Sequence, residues 1–255
     1  MKKITRILSL VLIFAMLALA LSSCTVTAQD RVAAAMLKMV TAKKSDCTAN
    51  VNIQMNVGGM KTEMPSTVVI KSDKSNAQSP VVYMEMSMKL FGQTTKTSTY
   101  YKDGYLYTSA NGSKTKVQMS YEDMMKDASG VIDITSIFNA KNGAIDDSFV
   151  ITENEDGTIS VKMTVTKEEF ASKLANVTDA LAGSLGQVGN IELSDTVFEF
   201  TVDSTNTIST VKASMAMKMA VSGKQTDISY NMEFKYNPVG MDFYIPAPTD
   251  LDSYR

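Results

Sequence analysis

Residues 47 to 57 read apolar, polar, apolar, polar without a break. Cys47, Ala49, Val51, Ile53, Met55 and Val57 alternate with Thr48, Asn50, Asn52, Gln54 and Asn56. A period of two marks a strand that buries one face, because successive side chains leave the backbone on opposite sides. The pattern returns along the chain. It predicts strands near 62–71, 81–90, 94–101 and 104–109, then near 146–153 and 158–166, and finally near 195–203, 207–221 and 225–236. Gly58-Gly59, Asp103-Gly104, Asn111-Gly112 and Asp156-Gly157 offer tight turns between them. So many half-buried strands require a large antiparallel sheet with one wet face and one covered face.

A few helices complete an α+β domain. Asp30 can cap a helix running to about Lys43, with Val32, Met36, Met39 and Val40 on one side. Ser120 to Asp123 resembles a capping box for a short helix through Lys126, and a further helical turn is expected around Ile132 to Phe138. Thr166 to Glu169 is a capping box for a longer helix whose apolar face is Phe170, Leu174, Val177 and Leu181. There is no interior linker and no short repeat, so residues 30–255 are expected to form one domain.

The first 23 residues have a different character. Lys2, Lys3 and Arg6 precede an apolar run from Ile7 to Leu21, too short and wrongly flanked for a spanning helix, and Ser22-Ser23 lead into Cys24. This order is that of a secretory signal, and Leu21-Ser22-Ser23-Cys24 resembles the bacterial lipobox. The resemblance implies that residues 1–23 are removed and that Cys24 carries a diacylglyceryl group, with residues 24–29 as a short lipidated tether. The protein is then extracytoplasmic and held at the cell membrane.

Composition excludes more than it selects. With no histidine anywhere, Ser-His-Asp and Cys-His nucleophiles, His-ligated zinc and imidazole acid/base chemistry are removed. The formal charge of −2 comes without a basic run, which argues against nucleic acid as a partner. No P-loop, GxGxxG or GxSxG pattern occurs, no calcium-loop register fits Asn154 to Gly157, and no cofactor is implied. The chain is expected not to be an enzyme, with neither catalytic nor metal-binding residues. Its only cysteine besides Cys24 is Cys47, which begins an apolar series and reads as a small buried hydrophobe.

Methionine is the anomaly, with 19 in the chain. Met84, Met86 and Met88 share a phase on one strand, and Met215, Met217 and Met219 on another. Three readings follow: ordinary core packing, a deformable apolar cavity that adapts to acyl chains, or a Cu(I) site of convergent thioethers. The last requires the two trios to be neighbours. Tyr101, Tyr105 and Tyr107 flank the Asp103-Gly104 turn, where cross-strand aromatic pairing accounts for them and ligand stacking is the alternative.

With its lipobox, N-terminal helix, run of amphipathic strands and interposed helices, the chain resembles the LolA/LolB-like lipoprotein superfamily, which includes LppX/LprG-type lipid-binding lipoproteins. The segment Tyr100 to Tyr107, and the ending from Phe234-Lys235-Tyr236-Asn237 through Tyr244-Ile245-Pro246 to Leu251-Asp252-Ser253-Tyr254, are similar to Firmicutes lipoproteins that carry a domain without assigned function. The superfamily resemblance implies a curved antiparallel sheet, an unclosed half-barrel, with helices covering a concave apolar face and a cavity for acyl chains between them. On that reading the two methionine trios line the cavity, joined by Val51, Ile53, Met55, Phe198 and Phe200. The expected function is non-catalytic binding of a lipid or other hydrophobic ligand. The alternative is an interaction module with a filled core, which meets an envelope protein through its polar face or through loops at 110–116 or 139–147.

Overall fold

The computed structural model describes residues 26–90, 92–128, 148–169, 191–221, 224–238 and 241–255. The signal segment, Cys24, the turn expected at 132–138, the loop at 139–147 and the face Phe170, Leu174, Val177 and Leu181 lie outside these residues.

The strands are β1 (Lys44–Val57), β2 (Met60–Asp73), β3 (Val81–Leu90), β4 (Gln93–Lys102), β5 (Tyr105–Ala110), β6 (Ser113–Gln118), β7 (Phe149–Glu153), β8 (Ile159–Val165), β9 (Glu192–Leu193), β10 (Thr196–Val202), β11 (Ile208–Val221) and β12 (Lys224–Tyr236). They form one sheet in the order β6-β5-β4-β3-β2-β1-β12-β11-β10-β8-β7, with β9 paired to β11 beyond the start of β10. All pairings are antiparallel. The chain lays β1 to β6 outward from the centre, crosses to the far edge at β7, and returns to close on β1 with β12. Among the described residues the two terminal strands do not pair, so the sheet is open.

The tight turns follow the sequence. Asp103 and Gly104 sit at φ 50 and 78, and Asn111 and Gly112 at 50 and 81. Two successive left-handed residues match the twist of a hairpin, which is why Asp-Gly and Asn-Gly occupy these places. One expectation fails at the second turn. Residues 110–116 are not a free loop, because Ser113–Gln118 pairs with β5 as an edge strand. Its apolar content is too low for alternation to reveal it, and backbone pairing places it there instead.

Helix α1 (Ala28–Thr41) starts earlier than expected. Thr27 is the cap, and Asp30 is its reciprocal partner: the Asp30 N–H donates to Thr27 Oγ1 at 3.1 Å, and the Thr27 N–H donates to Asp30 Oδ2 at 2.9 Å. Helix α1 packs on β7, β8, β10 and β11, burying Val32, Ala35 and Met36. Arg31 pins its start, donating from Nε to Asn206 Oδ1 and from Nη2 to the carbonyls of Gly157 and Asp203, while Lys38 Nζ donates to Thr207 Oγ1. Helix α2 (Tyr121–Ala128) begins at Ser120, whose hydroxyl accepts the Asp123 N–H, and it sets Tyr121 5.8 Å from Tyr101.

The expectation of one wet face is corrected by the C-terminal tail. After β12 the chain crosses the polar face of β1 to β6. Lys44 meets Asp242, Asn237 donates to Asp46, Lys71 lies over the Phe243 ring, and Lys114 pairs with Asp250. Tyr254 then packs edge-on against Tyr107 at 5.6 Å, in a cluster with Tyr100, Tyr83, Ile245 and Leu251. The Arg255 carbonyl accepts the Lys116 N–H of the edge strand. The tyrosines at the Asp103-Gly104 hairpin therefore divide: Tyr100, Tyr105 and Tyr107 lie under the tail, whereas Tyr101 faces α2 on the other side.

Candidate functional site

The pairing register decides which alternating sets share a face. Val51 stands opposite Met232 and Ser66; Met232 is opposite Ala213, and Ala213 opposite Phe198. Met88 is opposite Ser66, Met86 opposite Val68 and Met84 opposite Ile70. All eleven apolar residues singled out in the sequence therefore lie on one face, the face that α1 covers at its far end. The same period-2 signal adds Met64 and Val68 on β2 and Met232 on β12.

Burial divides this set. Phe198, Phe200, Met215, Met217 and Met219 are core residues, each less than a tenth exposed. Val51, Ile53 and Met55 are half-buried and pack against that core. Met84 and Met88 are half-buried, and Met86 is 37% exposed. The trios belong to β3 and β11, four strand spacings apart, about 19 Å along the sheet. Their six sulfurs do not meet at one point.

Two features of the apolar face bear on what it can hold. On β1 to β6 no Asp, Glu, Lys or Arg falls on it; the lysines and carboxylates of these strands all take the opposite phase. Beyond the methionines of β3 the same face turns to hydroxyls, with Thr95, Thr97 and Thr99 on β4 and Thr108 on β5. The face is apolar at its centre and mixed but uncharged towards β6, where Tyr101, Leu106, Ala110 and Val117 stand among the hydroxyls.

Three polar groups stand inside this apolar surroundings. Cys47 is 4% exposed, and burial pushes its thiol up to about 12, so it is protonated and unreactive. Thr196 and Thr226 are 0% and 2% exposed, and their hydroxyl oxygens have no hydrogen-bond partner.

The opposite face carries a second recess. A hollow of about 620 Å³ lies over β1 to β4, β11 and β12, lined by Asn50, Asn52, Thr67, Ser214, Asn231 and Glu233 among others. A smaller one of about 210 Å³ continues along the same strands past Gln54 and Asn56. Alternation identifies these residues as the polar set but gives no sign that they enclose a recess. Strand order creates it, by bringing the polar phases of six strands side by side.

No family model and no curated protein matches the chain. Solved structures do. The chain is similar to LprF from Mycobacterium bovis at 13% identity, over 87% of this chain and 96% of that one, with a TM-score of 0.44. It is similar to a LolA superfamily protein from Nitrosomonas europaea at 10% identity, covering 84% and 96% of the two chains at a TM-score of 0.23. A β-barrel-like protein from Brucella abortus, with a domain of unknown function, aligns at 10% identity over 80% and 100%, with a TM-score of 0.23. With every one of these scores below 0.5, the functional reading rests on this chain's own faces.

Proposed function

We propose that this protein is an extracytoplasmic lipoprotein, anchored through Cys24, that binds an acyl lipid or other hydrophobic molecule without catalysis. One observation carries the reading. The apolar face is charge-free across six strands, yet half-open over β1 to β3, where Val51, Met55, Met84, Met86 and Met88 keep part of their surface accessible. Hydrocarbon laid there removes apolar area from water on both partners, at about 0.8 kcal/mol per methylene. Thioether chains suit the purpose because they repack around differently shaped ligands. The hydroxyl-lined, uncharged surface on β4 and β5 would receive a polar but non-ionic end of the ligand, since an isolated ionised group there would meet no counter-charge.

The anchor fits this geometry. The chain runs from Cys24 to the Thr27 cap, and Arg31 fixes the helix beside the β7–β8 and β10–β11 turns. That end of the sheet would therefore lie against the bilayer. No helix among the described residues is long and apolar enough to cross a membrane.

The test is native mass spectrometry of the full-length protein from detergent extracts, followed by lipid extraction. An added mass matching an acyl lipid is expected. Met86→Lys/Met88→Lys should weaken binding of an apolar fluorescent probe by tenfold or more without loss of folding. A clean apoprotein that does not shift the probe would transfer the proposal to the second reading, an envelope-protein module. The exposed Met241 and Tyr244 of the tail would then be contact residues. Cys24→Ala should release the protein from membranes or leave its signal uncut, and unchanged fractionation would remove the anchor.

A further inference from the structure

The polar recess is not used by a hydrophobic ligand, and its lining has a chemistry of its own. Its two hollows run in line along β1, from Asn50 to Asn56, a length of about 20 Å for a strand. The floor is built of amides and hydroxyls: Asn50, Asn52, Gln54 and Asn56 on β1, facing Asn231 on β12 and Ser214 on β11. Each primary amide offers donors and an acceptor together. The Oδ1 atoms of Asn52 and Asn56 are buried, so an occupant meets the exposed Asn50, Gln54, Ser214 and Asn231, whose bonds to Thr67, Glu63 and each other lie at the surface. A half-turn about χ2 presents either end of the amide to an occupant.

Charge and topology select that occupant. Lys61, Lys89, Lys212 and Lys218 are nearly balanced by Glu63, Asp227 and Glu233, which favours an uncharged ligand over a nucleic acid or a polyanion. The strands beneath the recess, β4, β3, β2, β1, β12 and β11, are each paired on both sides. An extended peptide therefore finds no free edge to join, and strand addition is the way a peptide gains most from a sheet. A chain rich in hydroxyls, which both donate and accept, matches such a floor without needing an edge.

We propose that this recess binds an uncharged oligosaccharide, laid along β1 across several sugar rings. Among the described residues no aromatic ring lines the two hollows, so hydrogen bonds carry the affinity and longer sugars bind better than short ones. The site is separate from the apolar face and stands or falls independently of it.

Saturation-transfer NMR on the full-length protein in detergent micelles, with N-acetylglucosamine tetrasaccharide as probe, tests this. A clear signal is expected from the tetrasaccharide and at least a tenfold weaker one from the monosaccharide. Ser214→Leu/Asn231→Leu changes two exposed residues of the floor and should reduce tetrasaccharide binding tenfold or more. Asn50→Leu, also exposed, should reduce it several-fold should the double variant misfold. Both variants should shift the apolar probe as the parent does, which keeps failure here distinct from failure of the hydrophobic site. No signal at millimolar tetrasaccharide, undiminished binding in the variants, or stronger binding of a neutral glycine-serine peptide would overturn the proposal.

Discussion

On β8 and β10 the apolar face is sealed: Ile159, Met163, Phe198 and Val202 expose none of their surface. On β2 and β3 the same face, built from the same residue types, leaves Met60 73% and Met86 37% exposed. Among the described residues the two regions differ in what lies above them rather than in hydrophobicity. Helix α1 packs on β7, β8, β10 and β11. On the β1 to β6 half, α2 lies over Tyr101 at one part of this face, and the tail packs the opposite face by bringing Tyr254 onto Tyr100 and Tyr107. One half thus closes its apolar face. The other is packed from behind, and on β2 and β3 its apolar face keeps part of its surface exposed.

If that contrast is right, core truncations should differ most. Phe198→Ala should cost about 3–5 kcal/mol in denaturant unfolding, the range for emptying a packed aromatic site. Met86→Ala should cost under about 1 kcal/mol, because a surface side chain leaves no cavity. Equal losses would erase the distinction. Tyr254→Ala, which removes the tail's aromatic anchor, should cost about 3 kcal/mol. Hydrogen exchange sharpens this prediction: protection should fall on β4 to β6 and persist on β8 to β11. A uniform fall would mean that the tail stabilises the sheet as a whole.

Smaller changes probe the seams. Arg31→Ala cuts the hydrogen bonds that fix α1 to the Asn206 and Gly157 turns, and about 1–2 kcal/mol should be lost. The loss should loosen β7 and β8 before β1 to β6. At the central seam, the Cys47 thiol keeps its proton in the folded protein up to about 12, whereas the unfolded chain loses it near the ordinary value of 9.0. The unfolded state then binds fewer protons, so stability should fall as pH rises from about 9 towards 12. Tyr83 adds in the same direction, its hydroxyl raised to about 12 by burial and by its hydrogen bond to Glu85. Cys47→Ala should flatten part of that alkaline loss, and an unchanged profile would show the thiol to be hydrated. Smallest of all, Thr226→Val removes a buried hydroxyl without a partner and should raise stability by about 1 kcal/mol.

Much of the sheet was legible because alternation is a local property. Every strand with an apolar phase, from Cys47-Ala49-Val51 to the methionines of β11, is present, and its apolar set shares one face. What lacked a signal was missed. Five of the six residues of β6 are polar, and it exists through backbone pairing with β5. The two-residue β9 is too short to show a period. Thr27 rather than Asp30 caps α1, because either end of a capping box can be taken for the cap when only the sequence is read. The candidate site was legible in part: the sequence supplied the phase of the eleven apolar residues, but not the core status of Phe198 and Met217 against the half-open setting of Met86.

The sequence by itself determined which residues face together. Side chains alternate along any strand, so the phase of the methionines and the absence of charge among them are fixed before folding. Only the tertiary structure decided which part of that face closes, where the polar face folds into a recess, and which tyrosines the C-terminal tail covers. Those outcomes depend on strand order and on contacts such as Arg31 to Asn206 and Tyr254 to Tyr107 between residues far apart in the chain. A local pattern records a side chain's direction, whereas burial depends on what arrives above it.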